Sequence, residues 1–319
     1  RTADRALGIA SDCIAVKPSP FGYSYDKVLT TGRSNRGGAV RGFFFFFEAI
    51  FKYDIFVFNF GTSFFPRRTK FLEGKNGIRN IIVELVKSFF EGVDLFLLKA
   101  IGKKIVFIFQ GSDIRPSHIT KQLSESSKPS FQKKINEEDF FIRRWITIAN
   151  RYADALYYLN PDLGMWLPEK AEYLPYSHVN YRDYRYVGLA PGKVIRFAHA
   201  PSKRGIKGTE TVLDTFKKLR SEGYDFEFDL IEKVSNRQAW ERYKTADIII
   251  DQLKIGWYGG LAVEAMVLGK PVICYLKEED LFRIPLKMQL DLPIIRVDAD
   301  SLYEVLVSIL RRPKESMNS

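Results

Sequence analysis

Short apolar runs alternate with longer amphipathic segments along the whole chain. Residues 248–250 form a β-branched run too short for a helix, and residues 271–275 repeat this pattern after Gly269 ends the helix between them. Similar runs predict strands at residues 55–60, 105–109, 155–159, 194–198 and 226–230. Helical spacing of apolar residues predicts helices at 78–99, 137–153, 210–221 and 301–312. This alternation is typical of an α/β protein with parallel sheets.

The length of the chain supports two domains. At 319 residues it is roughly twice the usual domain size, and a hydrophobic content of 46% is enough for two cores. Both halves show the α/β pattern, and residues 173–192 combine prolines, glycines and tyrosines between them. We therefore expect Rossmann-like domains at residues 1–175 and 176–319. No initial strand with a glycine turn is visible, so the first domain is expected to be shortened at its start.

The clearest chemical signal lies at residues 247–276, where a strand, a glycine-bearing loop, a helix and a second strand follow one another. Gly256, Gly259 and Gly260 lack side chains where the first N–H groups of the helix would face a ligand, so a diphosphate can approach closely. Glu264 lies one turn further on, where a carboxylate can accept hydrogen bonds from sugar hydroxyls. A plainer explanation is an ordinary turn of a doubly wound sheet, with Glu264 as a solvated helix acid.

A second loop carries positive charge. Arg204 and Lys207 lie between the predicted strand at 194–198 and the predicted helix at 210–221. In one parallel sheet, this loop and the glycine-bearing loop would both lie at the carboxyl edge and meet at its crevice. The pattern predicts a site for a phosphorylated ligand there.

The two loops together resemble the donor site of GT-B glycosyltransferases, especially the retaining enzymes of glycosyltransferase family 4. In that family a basic loop ending in Lys-Gly precedes a motif of the form E-G-F-G-x-x-x-x-E-A-x-A-x-G-x-P-V. The matching residues here are Arg204, Lys207, Gly208, Gly259, Glu264, Ala265, Gly269, Pro271 and Val272. The resemblance implies two Rossmann-like domains whose parallel sheets face each other across a cleft. It also implies transfer of a sugar from a nucleoside diphosphate to a glycan or lipid-linked acceptor.

The resemblance further implies roles for individual residues. Arg204 and Lys207 would stabilise the leaving diphosphate, and the nucleobase would contact the backbone near residues 231–234. UDP-sugars are the commoner donors in this class and are preferred here over GDP-sugars. The donor site is expected to contain Gly259, Gly260, Leu261, Glu264, Tyr258, Asp251 and Glu232.

One position departs from the family pattern. The first acid of the motif falls at Gly256, so the contact that this acid makes with the donor sugar cannot be transferred to this position. Asp251, five residues earlier, is a candidate substitute. A polar residue that closes a strand would explain Asp251 equally well.

The first half carries a polar loop after the predicted strand at 105–109. Asp113 can accept a proton from an acceptor hydroxyl, and Arg115 can hold an anionic group. Gly111, which follows the strand at 105–109, and Asn59, near the end of the strand at 55–60, complete the expected acceptor side. Turn and cap chemistry is the competing explanation, and Asp113 fits it equally well.

Charge is concentrated in the first half of the chain. Residues 1–190 hold 28 Lys+Arg against 19 Asp+Glu, whereas residues 191–319 hold 21 against 19, so net charges of +9 and +2 account for the total of +11. An anionic acceptor or an anionic membrane surface is therefore expected on this side, and solubility alone is the alternative. We see no nucleic-acid motif, so a nucleic-acid partner is not expected.

An aromatic run offers a second indication of a membrane. Arg33, Arg36 and Arg41 precede the phenylalanines at 43–47, and Phe51 follows, which is a pattern suited to a bilayer interface. A packed core helix is the alternative. No apolar stretch approaches the roughly 18 to 20 residues needed to span a membrane. Peripheral attachment is therefore the most that the sequence predicts.

Cysteine and histidine usage indicates the compartment and the role of metals. Cys13 and Cys274 exclude a disulfide framework and suit a cytoplasmic protein, peripheral on the inner face of a membrane at most. Three histidines show no metal-ligand spacing, so a metal-independent site without a cofactor is expected. A noncatalytic sugar-nucleotide-binding protein and a GT-B-like nucleotide-sugar epimerase remain as alternatives.

Overall fold

A computed structural model gives the fold and describes residues 2–19, 24–30, 35–68, 78–116, 119, 129–188 and 194–311. Within these ranges the strands are β1 (Ile14–Ala15), β2 (Lys27–Val28), β3 (Ile55–Asn59), β4 (Lys104–Phe109), β5 (Ala155–Tyr158), β6 (Glu172–Tyr173), β7 (Ile195–His199), β8 (Phe226–Leu230), β9 (Ile248–Ile250), β10 (Val272–Cys274) and β11 (Ile294–Arg296).

Helices connect most of these strands. They are α1 (Thr2–Ala6), α2 (Asn35–Lys52), α3 (Ile78–Phe90), α4 (Val93–Ala100), α5 (Pro129–Tyr152), α6 (Arg204–Lys207), α7 (Thr209–Ser221), α8 (Asn236–Thr245), α9 (Gly260–Val267), α10 (Glu278–Leu281), α11 (Leu286–Asp291) and α12 (Leu302–Arg311), with 3₁₀ turns at Pro161–Met165 and Tyr181–Asp183.

The first large sheet is parallel and has the strand order β3-β4-β5-β6. Strand β3 alternates strictly: Phe56 and Phe58 are buried, whereas Ile55 and Val57 are exposed. The buried phenylalanines join a core with Leu95 from α4 and residues of α2 and α5. One face of this sheet is therefore packed under helices.

The second large sheet is also parallel and has the order β11-β10-β9-β7-β8. The chain passes from β7 to β8 on one side and then returns to place β9 on the other side of β7. Read from β7, this is the doubly wound order 2-1-3-4-5, in which ligands bind where the direction of winding reverses. That switch point lies at the carboxyl ends of β7 and β9.

The chain divides into two compact units. One contains residues 12–18 and 25–175, and the other contains residues 1–11, 19–24 and 176–319. Each unit contains one of the two large sheets and has its own hydrophobic core. The predicted α/β class with two Rossmann-like parallel sheets is confirmed.

Two predicted helices differ from the structure. The helix expected at 78–99 is divided into α3 and α4, because Gly92 has a φ of 77° in the left-handed region. The helix expected at 137–153 begins earlier, at Pro129. The phenylalanine run lies in α2, where Phe45 and Phe46 are buried and Phe44 and Phe47 are exposed, so only part of the run fits the core-helix alternative. Arg33 and the side chain of Arg36 lie outside the described residues.

Candidate functional site

A buried histidine organises the switch point of the second sheet. His199 is the last residue of β7, and its Nδ1 lies 2.8 Å from the carbonyl oxygen of Ile250 at the end of β9. Its Nε2 lies 2.9 Å from Oγ1 of Thr209, the first residue of α7. The carbonyl can only accept, so Nδ1 carries the proton and Nε2 accepts from the threonine hydroxyl. Burial lowers the pKa of His199 and keeps the ring neutral.

Lys207 and Asp251 join the two predicted loops across this switch point. The Lys207 ammonium lies 2.7 Å from Oδ1 of Asp251, whose side chain is fully buried. The other carboxylate oxygen accepts a hydrogen bond of 2.5 Å from the N–H of Gly259. Asp251 therefore holds the ammonium of one loop against the backbone of the other.

The start of α9 is open to an anion. Gly259 is its N-cap residue and offers no side-chain cap, while the N–H groups of Gly260 and Leu261 belong to the first turn, where no intrahelical acceptor exists. These N–H groups carry the partial positive charge of the helix dipole, and the Lys207 ammonium, whose net charge is balanced by Asp251, is a further donor beside them. This is the arrangement that binds phosphate groups in other proteins.

Steric contacts explain why glycine occupies positions 259 and 260 at the start of α9. A Cβ added to Gly259 would lie 2.9 Å from the Lys207 nitrogen, and one added to Gly260 would lie 3.1 Å from the His178 ring. Glycine is needed at these two positions because a side chain would contact Lys207 or His178. Neither position has a left-handed backbone that would itself favour glycine. His178 thus borders the site, although the sequence pattern did not single it out.

Glu264 is buried on the first turns of α9 and is not a solvated surface acid. Its Oε1 accepts a hydrogen bond of 3.0 Å from the side-chain amide of Asn236, the first residue of α8. The same oxygen lies 3.7 Å from Nε2 of His178. Glu264 therefore presents an oriented carboxylate beside the helix start.

Arg204 faces the opposite side of β7 from Lys207. Its guanidinium forms a two-pronged ion pair with Glu232, which follows β8, at 2.8 and 2.7 Å, and a third contact with Glu210 at 3.2 Å. The pairing with Glu232 raises the pKa of Arg204, and Arg204 in turn lowers the pKa of Glu232. The two basic residues of one loop therefore connect to two different neighbouring strands.

Gly256 occupies a turn that excludes an acid. Its φ is 79°, and an added Cβ would lie 2.7 Å from Cβ of Lys277. The backbone conformation and the neighbouring Lys277 therefore favour glycine at this position over the acid of the family motif. Tyr258, two residues on, is buried with its ring 5.8 Å from that of Tyr176 and 4.7 Å from that of Trp257, so it packs the loop.

The polar residues of the first unit meet at the carboxyl edge of their own sheet. Asp113 is buried and accepts hydrogen bonds from the N–H groups of Gly111 at 2.6 Å and Gln110 at 3.1 Å. Burial raises the pKa of Asp113. Asn59 ends β3, with its Oδ1 3.5 Å from the side-chain amide nitrogen of Gln110.

Arg115 is engaged within the same unit. It forms a two-pronged ion pair with Asp162 at 2.6 and 2.9 Å, and both side chains are largely buried. Asp113 and Arg115 thus hold the loop that follows β4. Their contacts are those of a rigid loop, and an acceptor role for either residue stays a prediction.

The part of the chain that the structure describes was searched for metal-binding clusters and membrane-spanning helices. Among these residues no group of three or more His, Cys, Asp or Glu side chains is arranged to hold a metal ion. The described helices include none long and apolar enough to cross a membrane. Cys13 and Cys274 are both free thiols.

Comparison with known proteins identifies the fold. No protein-family model matches the chain, and no curated protein matches it. Solved structures do. Sucrose-phosphate synthase from Thermosynechococcus elongatus aligns over 99% of this chain and 85% of its own, with 13% identity and a TM-score of 0.56.

Two structures of an alpha-glucosyltransferase are similar as well. One is in complex with UDP and a 13-mer DNA containing a central A:G mismatch, and it aligns over 98% of this chain and 84% of its own, with 11% identity and a TM-score of 0.51. The other holds UDP and a 13-mer DNA containing an HMU base, and it aligns over 99% and 86%, with 11% identity and a TM-score of 0.52. These neighbours are GT-B glycosyltransferases, and the chain has the GT-B fold.

Proposed function

We propose that this protein is a glycosyltransferase that takes a sugar from a nucleoside diphosphate, with UDP as the preferred nucleotide. One observation carries the proposal: the Lys207 ammonium, the N–H groups at the start of α9 and the Glu264 carboxylate surround the switch point of the second sheet. The positive groups suit a diphosphate, and the carboxylate suits sugar hydroxyls. The UDP held by structures of the same fold supports this choice of nucleotide.

The proposed chemistry follows from the charges that develop during transfer. The bond between the anomeric carbon and the diphosphate oxygen breaks, a bond to the acceptor oxygen forms, and the proton of that hydroxyl passes to the departing diphosphate. Negative charge grows on the diphosphate, where Lys207 and the α9 N–H groups stabilise it. Removal of one such fixed donor is expected to raise the barrier by about 2 to 4 kcal/mol.

The acceptor side of the proposal rests on charge. The net +9 of residues 1–190 favours an anionic acceptor, which we propose to be a glycan or a lipid-linked sugar. Retention of configuration and independence from a divalent cation are proposed from the resemblance to glycosyltransferase family 4. Arg204 remains a second candidate for the diphosphate, on condition that it leaves Glu232 when the donor binds.

The test is a calorimetric titration of UDP, GDP and ADP, each with and without EDTA. We expect saturable UDP binding that EDTA does not change and that weakens about tenfold or more in Lys207→Ala, since a charged hydrogen bond contributes about 1.5 to 3 kcal/mol. Lys287→Ala, which removes an exposed lysine of α11, is the matched control and should bind normally. Failure of every nucleotide to bind would overturn the proposal.

A second candidate function is noncatalytic sugar-nucleotide binding. The observation that favours it is Gly256, whose backbone and contact with Lys277 leave no room for the first acid of the motif. Both candidates predict binding of UDP. They differ in turnover, because only the enzyme releases UDP from a UDP-sugar when acceptor glycans are supplied.

A further inference from the structure

Helix α2 has an apolar stripe that its own core does not use. Val40, Phe44, Phe47 and Phe51 are spaced by four, three and four residues and therefore lie on one side of the helix. Phe44 is 68% exposed and Phe51 is 88% exposed. The other side of α2 supplies the core, through buried residues such as Phe45 and Phe46. An exposed stripe of large aromatic residues on a folded helix points to an interaction surface.

Helix α3 repeats the feature. Ile82, Leu85 and Phe89 follow one another at helical spacing, and all three are exposed, with Phe89 at 76%. The acidic residue of this helix points the other way: Glu84 is buried and lies 2.6 Å from the ammonium of Lys87. The apolar stripe of this helix therefore faces solvent, whereas an ordinary surface helix buries its apolar face and exposes its polar face.

The two stripes are joined by ring contacts. Phe47 meets Phe43 with centroids 5.2 Å apart, Phe43 meets Phe90 at 6.3 Å, and Phe90 meets Phe89 at 5.2 Å. The stripes of the two helices thus adjoin in one patch, linked through the rings of Phe43 and Phe90. We name it the aromatic surface and define it by Phe44, Phe47, Phe51, Ile82, Leu85 and Phe89.

The net positive charge of the surrounding sequence favours an anionic partner for this surface. Residues 27–104, which carry the whole aromatic surface, contain 14 Lys+Arg against 6 Asp+Glu, a net +8 of the total +11. A second copy of the chain would bring two such charges together, which disfavours self-association through this surface. An anionic bilayer neutralises the charge and takes up aromatic side chains at its headgroup boundary.

We propose that the aromatic surface of α2 and α3 docks this protein on the surface of an anionic lipid bilayer. The phenylalanines enter the headgroup boundary, and the net positive charge of residues 27–104 attracts the lipid phosphates. Neither step involves the donor site, so the proposal stands independently of glycosyl transfer.

Co-sedimentation with vesicles tests the proposal. The full chain should sediment with vesicles of phosphatidylglycerol and phosphatidylcholine, but not with phosphatidylcholine alone, and 0.5 M NaCl should release part of it because salt screens the charges. The double variant Phe44→Ser/Phe89→Ser should bind at least tenfold more weakly. Phe282→Ser is the matched control, because Phe282 is 69% exposed in the other unit, and it should bind as the unaltered protein does.

A second measurement does not depend on how the serine variants fold. In Phe47→Trp, phosphatidylglycerol vesicles containing brominated lipid should quench more tryptophan fluorescence than in the unaltered protein, which has four tryptophans elsewhere. Three outcomes would overturn the proposal. They are a protein that stays in the supernatant with anionic vesicles, no additional quenching in Phe47→Trp, and a dimer in analytical ultracentrifugation that Phe44→Ser/Phe89→Ser dissociates.

Discussion

Several charged residues of this protein already have protein partners in the structure. Asp251 binds both Lys207 and the N–H of Gly259, and Arg204 is shared between Glu232 and Glu210. In such a site the carboxylate sets the position of the cation before any ligand arrives. A residue that the sequence predicts to bind a ligand can therefore act by positioning another side chain instead.

Gly259→Ala tests this arrangement with a single methyl group. The added Cβ would lie 2.9 Å from the Lys207 nitrogen, the flexible end of a side chain, so Lys207 should move while the fold remains. We expect nucleotide affinity to fall by about tenfold or more and the melting temperature to change little. Calorimetry and thermal unfolding measure the two effects.

Gly205→Ala is the control for that experiment, because a Cβ at Gly205 would meet nothing within 4 Å. It should bind nucleotide normally. Equal affinities in the two alanine variants would show that the position of the Lys207 ammonium does not matter for binding.

His199 makes stability depend on pH. Its pKa is lowered by burial from the ordinary value of 6.5, so the unfolded chain binds the proton more readily than the folded chain. The stability that the neutral ring contributes is complete above pH 6.5 and is lost as pH falls below it, by up to about 1.4 kcal/mol per pH unit. Urea unfolding between pH 8 and pH 5 should show this slope. In His199→Gln the slope should be smaller, and an unchanged slope would contradict the assignment.

At the scale of elements, the turn between β9 and α9 decides what the site can contain. Gly256 adopts a φ of 79° beside Lys277, and the chain then reaches Gly259, where α9 begins. The loop is further fixed by Asp251 and by the buried ring of Tyr258. The missing acid of the family motif is thus a property of the whole turn rather than of one side chain.

Two glycine variants separate backbone strain from steric contact. Gly223 has a φ of 86° and an added Cβ would meet nothing within 4 Å, whereas at Gly256 it would lie 2.7 Å from Cβ of Lys277. Gly223→Ala should cost about 1 to 2 kcal/mol of stability from the left-handed backbone alone. Gly256→Ala should cost about 1 to 3 kcal/mol more from overpacking. Urea unfolding of both variants measures the difference, and equal losses would contradict a steric role for Lys277.

At the scale of the whole molecule, the protein consists of two units with separate cores. Phe56, Leu95 and Trp145 belong to one core, and Phe197, Val212 and Leu306 belong to the other. The proposed nucleotide site lies entirely within the second unit. Ligand binding should therefore stabilise one core directly.

Differential scanning calorimetry tests this division. With UDP at about 100 times its dissociation constant, the second unit should gain about 2.7 kcal/mol, so its transition should move to higher temperature while the other stays in place. Trp145→Phe, which alters only the first core, should move the other transition down. A single transition that UDP and Trp145→Phe both shift would contradict independent units.

Much of the fold was predictable because its signals are local. The triplet at β9, the FEFDL run at β8 and the β-branched run at β10 each show a strand within a few residues, and glycines end or divide helices where the backbone enters the left-handed region. Gly92 was missed as a break because apolar spacing continues across it from α3 to α4. The spacing of apolar residues indicates which face of a helix is buried, but it does not reveal a single turn at which the backbone leaves the helical conformation.

The α/β class, the parallel strands, the basic loop, the glycine-bearing loop and the uneven charge could be predicted from the sequence, since each depends on residues close together in the chain. The fold was needed to show that Lys207 pairs with Asp251, 44 residues away, and Arg204 with Glu232, 28 residues away. It also brought His178 and Asn236 to Glu264 and turned the stripes of α2 and α3 outward. The physical reason is that a site at a sheet edge is assembled from loops that strand order alone brings together.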